Sequence, residues 1–336
     1  MRTLVYIIWT IIVLLTLSCN KGQVSLPSTS LGCDYCPEQY DLRSEPYPDS
    51  FHIVNHPGPP CATSPEYRYL ETYSYNEPLL NPNNPYEMAL IRTDMTELLL
   101  MNELCIYNFC DNSLEVIADN IYYGLDWSTE DWLIYTGRDH NVWKIKTNGD
   151  SLTQLTFTGD YNNYPEWSPS GEKFIYWDNS SSFFRICNGD GVALDSISIW
   201  MYYFDWIDED NLVYTKAING NEYQVRTVDL QTETQTLLHS IAQPGSPEPI
   251  SYNDGRILFT ANEGLFEIFN NTVNLLDTNY STYNSGYPQQ LTDSKILLQR
   301  FITDTTYYQE CIVYGATYIS ILDENTGEER RIKIPE

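Results

Sequence analysis

An all-β chain built from repeated small sheets is predicted by three features of this sequence. A tryptophan, a tight turn and an apolar strand recur at a near-constant interval. The strand-like runs are short and evenly spaced, and aromatic residues make up 14% of the chain, with 28 tyrosines and 8 tryptophans. Aromatic and β-branched residues suit the pleated, half-buried surface of a sheet. No long amphipathic helical pattern interrupts them.

The recurring unit is clearest from Leu155 to Trp177. A short threonine strand end leads through a polar loop to Pro165-Glu166-Trp167-Ser168, then the turn Pro169-Ser170-Gly171-Glu172, then the strand Phe174-Ile175-Tyr176-Trp177. Pro169 presets φ for a turn and Gly171 tolerates positive φ, so two strands fold back as a hairpin with Trp167 on its inner strand. The same order appears at Leu125-Asp126-Trp127 before Trp132-Leu133-Ile134-Tyr135, and at Phe204-Asp205-Trp206 before Leu212-Val213-Tyr214. The three tryptophans therefore lie 40 and 39 residues apart. Pro249-Ile250-Ser251 before Ile257-Leu258-Phe259 continues the series with Ile250 in the tryptophan's place, and Tyr287-Pro288-Gln289 before Ile296-Leu297-Leu298 follows it. A repeat of about 40 residues with four short strands is one blade of a β-propeller. Six blades are expected, the first at about residues 86 to 118; seven, with residues 62 to 84 contributing, is the alternative count.

The Leu-Thr, then Pro-x-Trp-Ser-Pro-x-Gly run of Leu155 to Trp177 resembles the WD40-like repeats of the TolB-like propeller proteins, in which the turn usually reads Pro-Asp-Gly. Trp127 and Trp206 carry the same resemblance, which spans about residues 86 to 334. It implies the fold and leaves the activity open, because one propeller hosts many unrelated functions.

The chain divides into a signal segment (1–18), a tether and N-terminal wrap (19–65) and the propeller (66–336). Arg2 gives a minimal positive start, Leu4 to Leu17 is apolar, and Ser18 precedes Cys19. That pattern reads as an export signal, too short to span a bilayer. Thr16-Leu17-Ser18-Cys19 resembles a bacterial lipobox, which implies lipid attachment at Cys19. Asn20, which is not acidic, points to the outer membrane. Residues 20 to 65 are rich in Pro, Ser and polar residues without periodicity, as a tether would be. Tyr67 to Tyr75 alternates enough to suggest an extra strand at a propeller edge.

Without Cys19 the chain keeps Cys33, Cys36, Cys61, Cys105, Cys110, Cys187 and Cys311, an odd number that leaves at least one thiol free or paired between chains. Cys33, Cys36, His52 and His56 match zinc-finger spacing, but Pro46, Pro48 and Pro57 break the helix that such histidines need. Disulfides or loop positions are the expected roles, and no metal or cofactor is expected.

In a propeller, the loops joining the outer strand to the next blade and the second strand to the third converge on one face. Here those loops carry Tyr161, Tyr164, Trp177, Phe183, Trp200, Tyr202, Tyr203, Tyr283 and Tyr287, with a longer insertion around Thr303 to Ala316. Tyrosine and tryptophan combine large contact area with a polar handle, so this face suits a protein or glycan partner. Four histidines, with no His-Glu-x-x-His and no Gly-x-Ser-x-Gly, give the common hydrolase constellations no support. Asp205, Asp208, Glu209 and Asp210 are read as a solvated hairpin turn rather than a calcium site. With 18 basic against 46 acidic residues and a formal charge of -28, nucleic acid is excluded as a partner. The expectation is an outer-membrane lipoprotein that binds a protein or glycan without catalysis. A propeller enzyme, a polysaccharide lyase or hydrolase, is the alternative.

Overall fold

The structure is a computed structural model. It describes short strands at 39–40, 52–53 and 66–69, and then residues 73–335 except 85, 96–101, 159–160, 221, 243–246, 253, 262–263, 278–284, 293–294, 305–311, 324, 328 and 333. The signal segment, Cys19, most of the tether and Tyr283 lie outside the described residues.

Six antiparallel sheets, each with a core of four strands from one continuous stretch of chain, form the six blades of a β-propeller. Blade 1 comprises Tyr73–Leu80, Glu87–Asp94, Asn102–Asn108 and Ser113–Asp119, and blade 2 comprises Ile121–Trp127, Trp132–Gly137, Val142–Lys146 and Thr153–Gln154. Blade 3 runs through Asn162–Trp167, Lys173–Asp178, Phe183–Asn188 and Ala193–Ile197; blade 4 through Phe204–Trp206, Asn211–Asn219, Glu222–Asp229 and Gln235–Ile241. Pro249–Ser251, Ile257–Ala261, Gly264–Phe269 and Thr272–Asp277 make blade 5, and Ser285–Thr292, Lys295–Asp304, Ile312–Asp323 and Glu329–Ile332 make blade 6.

Three expectations are corrected. Blade 1 begins with Tyr73–Leu80, which is its innermost strand and not an added edge; Glu66–Tyr69, just before it, is the addition, pairing in parallel with Ile312 to Gly315 of blade 6. Glu77, with φ 49°, and a register shift between Asn76 and Leu79 break the period-2 pattern that would mark this strand in the sequence. In blade 5 the tryptophan's register belongs to Ser251, paired with Ile257 as Trp127 is with Leu133 and Trp206 with Leu212. The described ends of the insertion around Thr303 to Ala316 belong to a ladder, with Thr303 opposite Gly315 and Asp304 opposite Tyr314, while residues 305–311 lie outside the described residues.

The tryptophans explain why the unit repeats. Each ends the inner strand of its blade, is 5% exposed, and wedges against the preceding blade. Trp127 packs with Ala89, Ile91 and Leu104 of blade 1, Trp167 with Ile134, Val142 and Leu155 of blade 2, and Trp206 with Ile175 and Ile186 of blade 3. The hairpin turn beyond Trp167 forms as its residues require: Gly171 takes φ 72° and its N–H donates to the Ser168 carbonyl at 2.8 Å. At the next turn outward, Gly191 takes φ 82°, and a Cβ there would meet the Leu155 carbonyl oxygen of blade 2 at 2.5 Å, so blades 2 and 3 approach closely only because this residue is glycine.

Ring closure between blades 6 and 1 relies on packing. Leu291, Leu297, Ile319 and Ile321 meet Met88, Leu90, Tyr107 and Phe109. Gln289 Oε1 accepts the Leu80 N–H at 2.6 Å, Gln289 Nε2 donates to the Pro78 carbonyl at 2.8 Å, and Gln299 Oε1 accepts the Glu77 N–H at 2.6 Å. Gln39–Tyr40 adds a fifth, outer strand to blade 6 beside Glu329–Ile332. Cys110 is disulfide-bonded, while Cys105 and Cys187 are buried free thiols.

Candidate functional site: an aromatic face above an acidic core

Inner strands enter each blade from the face on which the predicted loops converge, and two chains of rings cross that face. On blades 2 and 3, Tyr161 stacks on His140 at 3.9 Å, His140 meets Tyr122 edge-on at 5.4 Å, Tyr122 touches Tyr123 at 4.3 Å, and Tyr123 reaches Tyr164 at 5.1 Å. Tyr161 and Tyr164 both hold φ 54° and His140 holds φ 60°, a left-handed conformation that is costly for bulky residues. On blades 3 and 4, Trp177 lies against Phe184 at 4.9 Å and meets Trp200 at 4.4 Å; Trp200 meets Tyr202 at 6.0 Å, and Tyr202 meets Tyr223 at 6.2 Å. Edge-on and tilted contacts of this kind suit the ring quadrupole and hold each ring in place.

Most of the rings expected to be accessible are so. Trp200 is 51% exposed, Tyr161 49%, Tyr202 42%, Tyr164 41% and Phe183 39%. Trp177 departs from expectation: it lies inside the strand Lys173–Asp178, is buried in the core between blades 3 and 4, and supports Trp200 rather than presenting itself. Tyr164, Phe183 and Tyr287 also lie in strands rather than loops, and Tyr203 is partly buried. Tyr122, Tyr123, His140 and Tyr223 join the rings without having been singled out. The one sequence signal for them is the Tyr122-Tyr123 doublet ahead of Asp126-Trp127, which matches Tyr202-Tyr203 ahead of Asp205-Trp206.

Beneath the rings, the residue before each tryptophan is acidic, and two of these, Asp126 and Asp205, serve the backbone of the next blade. Asp126 Oδ2 accepts the Trp167 N–H at 2.6 Å, and Asp205 Oδ2 accepts the Ser251 N–H at 2.6 Å. Glu77 Oε2 likewise accepts the Leu125 N–H at 2.9 Å. Asp205 is thus a structural brace and not part of a solvated turn; Asp208 bonds Asp210 and Asn211, and Glu209 accepts the Ser170 N–H at 2.7 Å. Burial pushes Asp126 up to about 6 and Asp205 up to about 7, against the partial relief of their backbone donors. Glu166 is raised well above the ordinary carboxyl value, first by burial and then by the charges of Asp205 and Asp126. Among the described residues, no group of three His, Cys, Asp or Glu side chains is arranged to hold a metal ion.

No known protein family matches this chain by sequence, and no curated protein does. Solved structures do share its fold. A TolB from Agrobacterium tumefaciens superposes with a TM-score of 0.52 at 14% identity, covering 67% of this chain and 86% of that one. The β-propeller domain of the Trilobed protease from Pyrococcus furiosus, described as having an open velcro topology, gives 0.50 at 11% identity over 78% and 84%. TolB from Acinetobacter baumannii gives 0.44 at 15% identity over 77% and 68%. The likeness is one of fold. The first two agree with the propeller fold described above.

Proposed function

We propose that this chain is a non-catalytic binding module, carried on the outer membrane by a lipid at Cys19, whose aromatic face engages a protein or glycan partner. The observation that carries this reading is the run of exposed, mutually braced rings from Tyr161 and Tyr164 across to Trp200 and Tyr202. Rings already held by their neighbours lose little side-chain entropy on binding, and tryptophan and tyrosine are the residues in which binding energy concentrates. The left-handed backbone at Tyr161 and Tyr164 fits the same role, since such strain accumulates at recognition sites.

The test is capture of partners from envelopes by the tagged full chain, compared with a Tyr161→Ala, Trp200→Ala, Tyr202→Ala triple variant. A loss of about tenfold or more in capture is expected. Equal capture by the two proteins, or turnover of an envelope polymer by the purified protein, would overturn the reading. Loss of radiolabelled palmitate incorporation in Cys19→Ala is expected alongside.

A further inference from the structure

The acidic core contains one member that the architecture does not use. Asp126 and Asp205 each brace the following blade through the backbone N–H in the tryptophan's register, and Gln289 performs the same service from blade 6 to blade 1. By that rule Glu166 should accept the Trp206 N–H, but Asp205 Oδ1 already accepts it at 2.7 Å. Glu166 is left with its Oε2 buried and without a hydrogen-bond partner among the described residues, between two further carboxylates that act on it electrostatically. A buried carboxylate oxygen with no donor is an open coordination site in chemical terms.

The surroundings select what would fill it. Glu77, Asp126, Glu166 and Asp205 lie on the inner strands of blades 1 to 4, and Glu248 immediately precedes that of blade 5. The six inner strands contain no Lys, Arg or His. Tyr123 and Tyr164 stand at the same end of these strands, close enough to Glu77 to interact with it electrostatically, and Tyr164 also to Glu248. Aromatic rings close to several carboxylates, on strands without a basic residue, favour an organic cation. A guanidinium prefers one carboxylate met edge-on in a planar fork, whereas an ammonium is a compact charge with three donors that can serve carboxylates on separate strands.

We propose that Glu166, with Asp126 and Asp205 beside it, receives a lysine ammonium presented by the partner protein from the end of the inner strands at which Tyr123 and Tyr164 stand. This rests on the binding reading above and names the partner chemistry at its centre. An arriving ammonium favours the ionised carboxylates, so binding releases protons and strengthens as pH rises from about 5 to 8, a range in which lysine stays charged. The carboxylates that set this response are Asp126, Glu166 and Asp205; Glu77, Glu248, Tyr123 and Tyr164 are the further titratable groups nearby.

Calorimetry of the full chain in detergent, with trilysine and its fully Nε-acetylated counterpart as probes, tests the proposal. Trilysine is expected to bind at least about tenfold more tightly than the acetylated peptide. That preference should disappear in Glu166→Gln and in Asp205→Asn, and survive in Asp150→Asn, which removes one exposed charge elsewhere. Proton release should show as a buffer-dependent binding heat. Equal binding of the two peptides, an unaltered preference in folded Glu166→Gln, or response to calcium chloride with none to trilysine, which would mean an inorganic cation only, each overturns it. If the triple aromatic variant loses envelope capture while trilysine shows no preference, this inference fails alone. If trilysine binds as expected and the aromatic variant captures normally, the aromatic-face reading fails instead.

Discussion

The contact between blades 2 and 3 and the contact between blades 6 and 1 join neighbouring sheets with opposite chemistry. Between blades 2 and 3, an indole fills the gap and a carboxylate, Asp126, ties the inner strands together. Between blades 6 and 1, the gap is filled by Leu297, Ile319 and Ile321 against Met88, Leu90 and Tyr107, and the tie is an uncharged amide, Gln289. The seam where the ring closes is therefore neutral and aliphatic, while the blades beneath the aromatic face are braced by acids with raised affinity for protons. Titratable braces from blade 2 to blade 3 and from blade 4 to blade 5 couple the rigidity of those contacts to charge, whereas the Gln289 tie from blade 6 to blade 1 does not titrate.

The largest effect that separates the two contacts is expected from Trp167→Ala. The indole is 5% exposed and its ring lies edge-on to Phe174 at 5.6 Å, so truncation opens a cavity between blades 2 and 3 at a cost of about 3–5 kcal/mol. Urea denaturation followed by circular dichroism measures it. A loss below about 1 kcal/mol would show that the tryptophan does not wedge the blades.

Next in size is the pH dependence. A carboxyl whose folded pKa lies above its unfolded value binds protons more tightly when folded, so its contribution to stability is complete below the unfolded pKa near 3.8 and is lost as pH rises through the folded value. Asp126 and Asp205 therefore make the protein lose stability between about pH 4 and pH 7, on the order of 3 kcal/mol in all once shared screening is allowed for. Carboxylates of the opposite kind, such as Asp178, held low by Ser180, Ser181 and Arg185 despite its burial, act in the other direction at lower pH. The discriminating measurement is the difference between wild type and Asp126→Asn or Asp205→Asn across that range: each variant should flatten the loss. Parallel curves would mean that the braces do not titrate.

How much of this was legible in the sequence follows from what each residue does. The tryptophan spacing located blades 2 to 4 because the indole occupies one register in each of them. It slipped by one residue in blade 5, where Ser251 fills that register and nothing in Pro249-Ile250-Ser251 distinguishes the position. It missed the inner strand of blade 1 because the bulge at Glu77 disrupts alternation. On the face, Tyr161, Trp200 and Tyr202 were visible because they lie in loops, where aromatics have no sheet to enter. Tyr122, Tyr123 and Tyr223 were not, because whether a strand tyrosine faces solvent depends on how far its strand reaches past the neighbouring blade. Asp126 and Glu166 carry no signal of their own beside their tryptophans, and Asp205 reads as a turn residue because Asp208, Glu209 and Asp210 follow it. Their partners are backbone N–H groups 41 to 46 residues away in the case of the two aspartates, a separation that no local pattern encodes.

The smallest and most specific effect belongs to the seam. Gln289→Leu keeps the volume of the side chain but removes the acceptor for the Leu80 N–H and the donor to the Pro78 carbonyl, leaving both backbone groups unsatisfied at a cost of about 2 kcal/mol. Because the lost tie is uncharged, the deficit should be the same at pH 5 and pH 8, unlike that of either aspartate variant. Its location should also be restricted: amide exchange is expected to accelerate in Tyr73–Leu80 and Ser285–Thr292, the two inner strands that meet there, while Ile121–Trp127 and Asn162–Trp167 keep their protection. Acceleration spread evenly over all six inner strands would mean that the ring opens as one unit and that the seam is no weaker than the tryptophan contacts. Acceleration confined to the two strands would make the seam a separate cooperative element, closed by neutral hydrogen bonds and aliphatic packing while the blades beneath the aromatic rings are braced by acids.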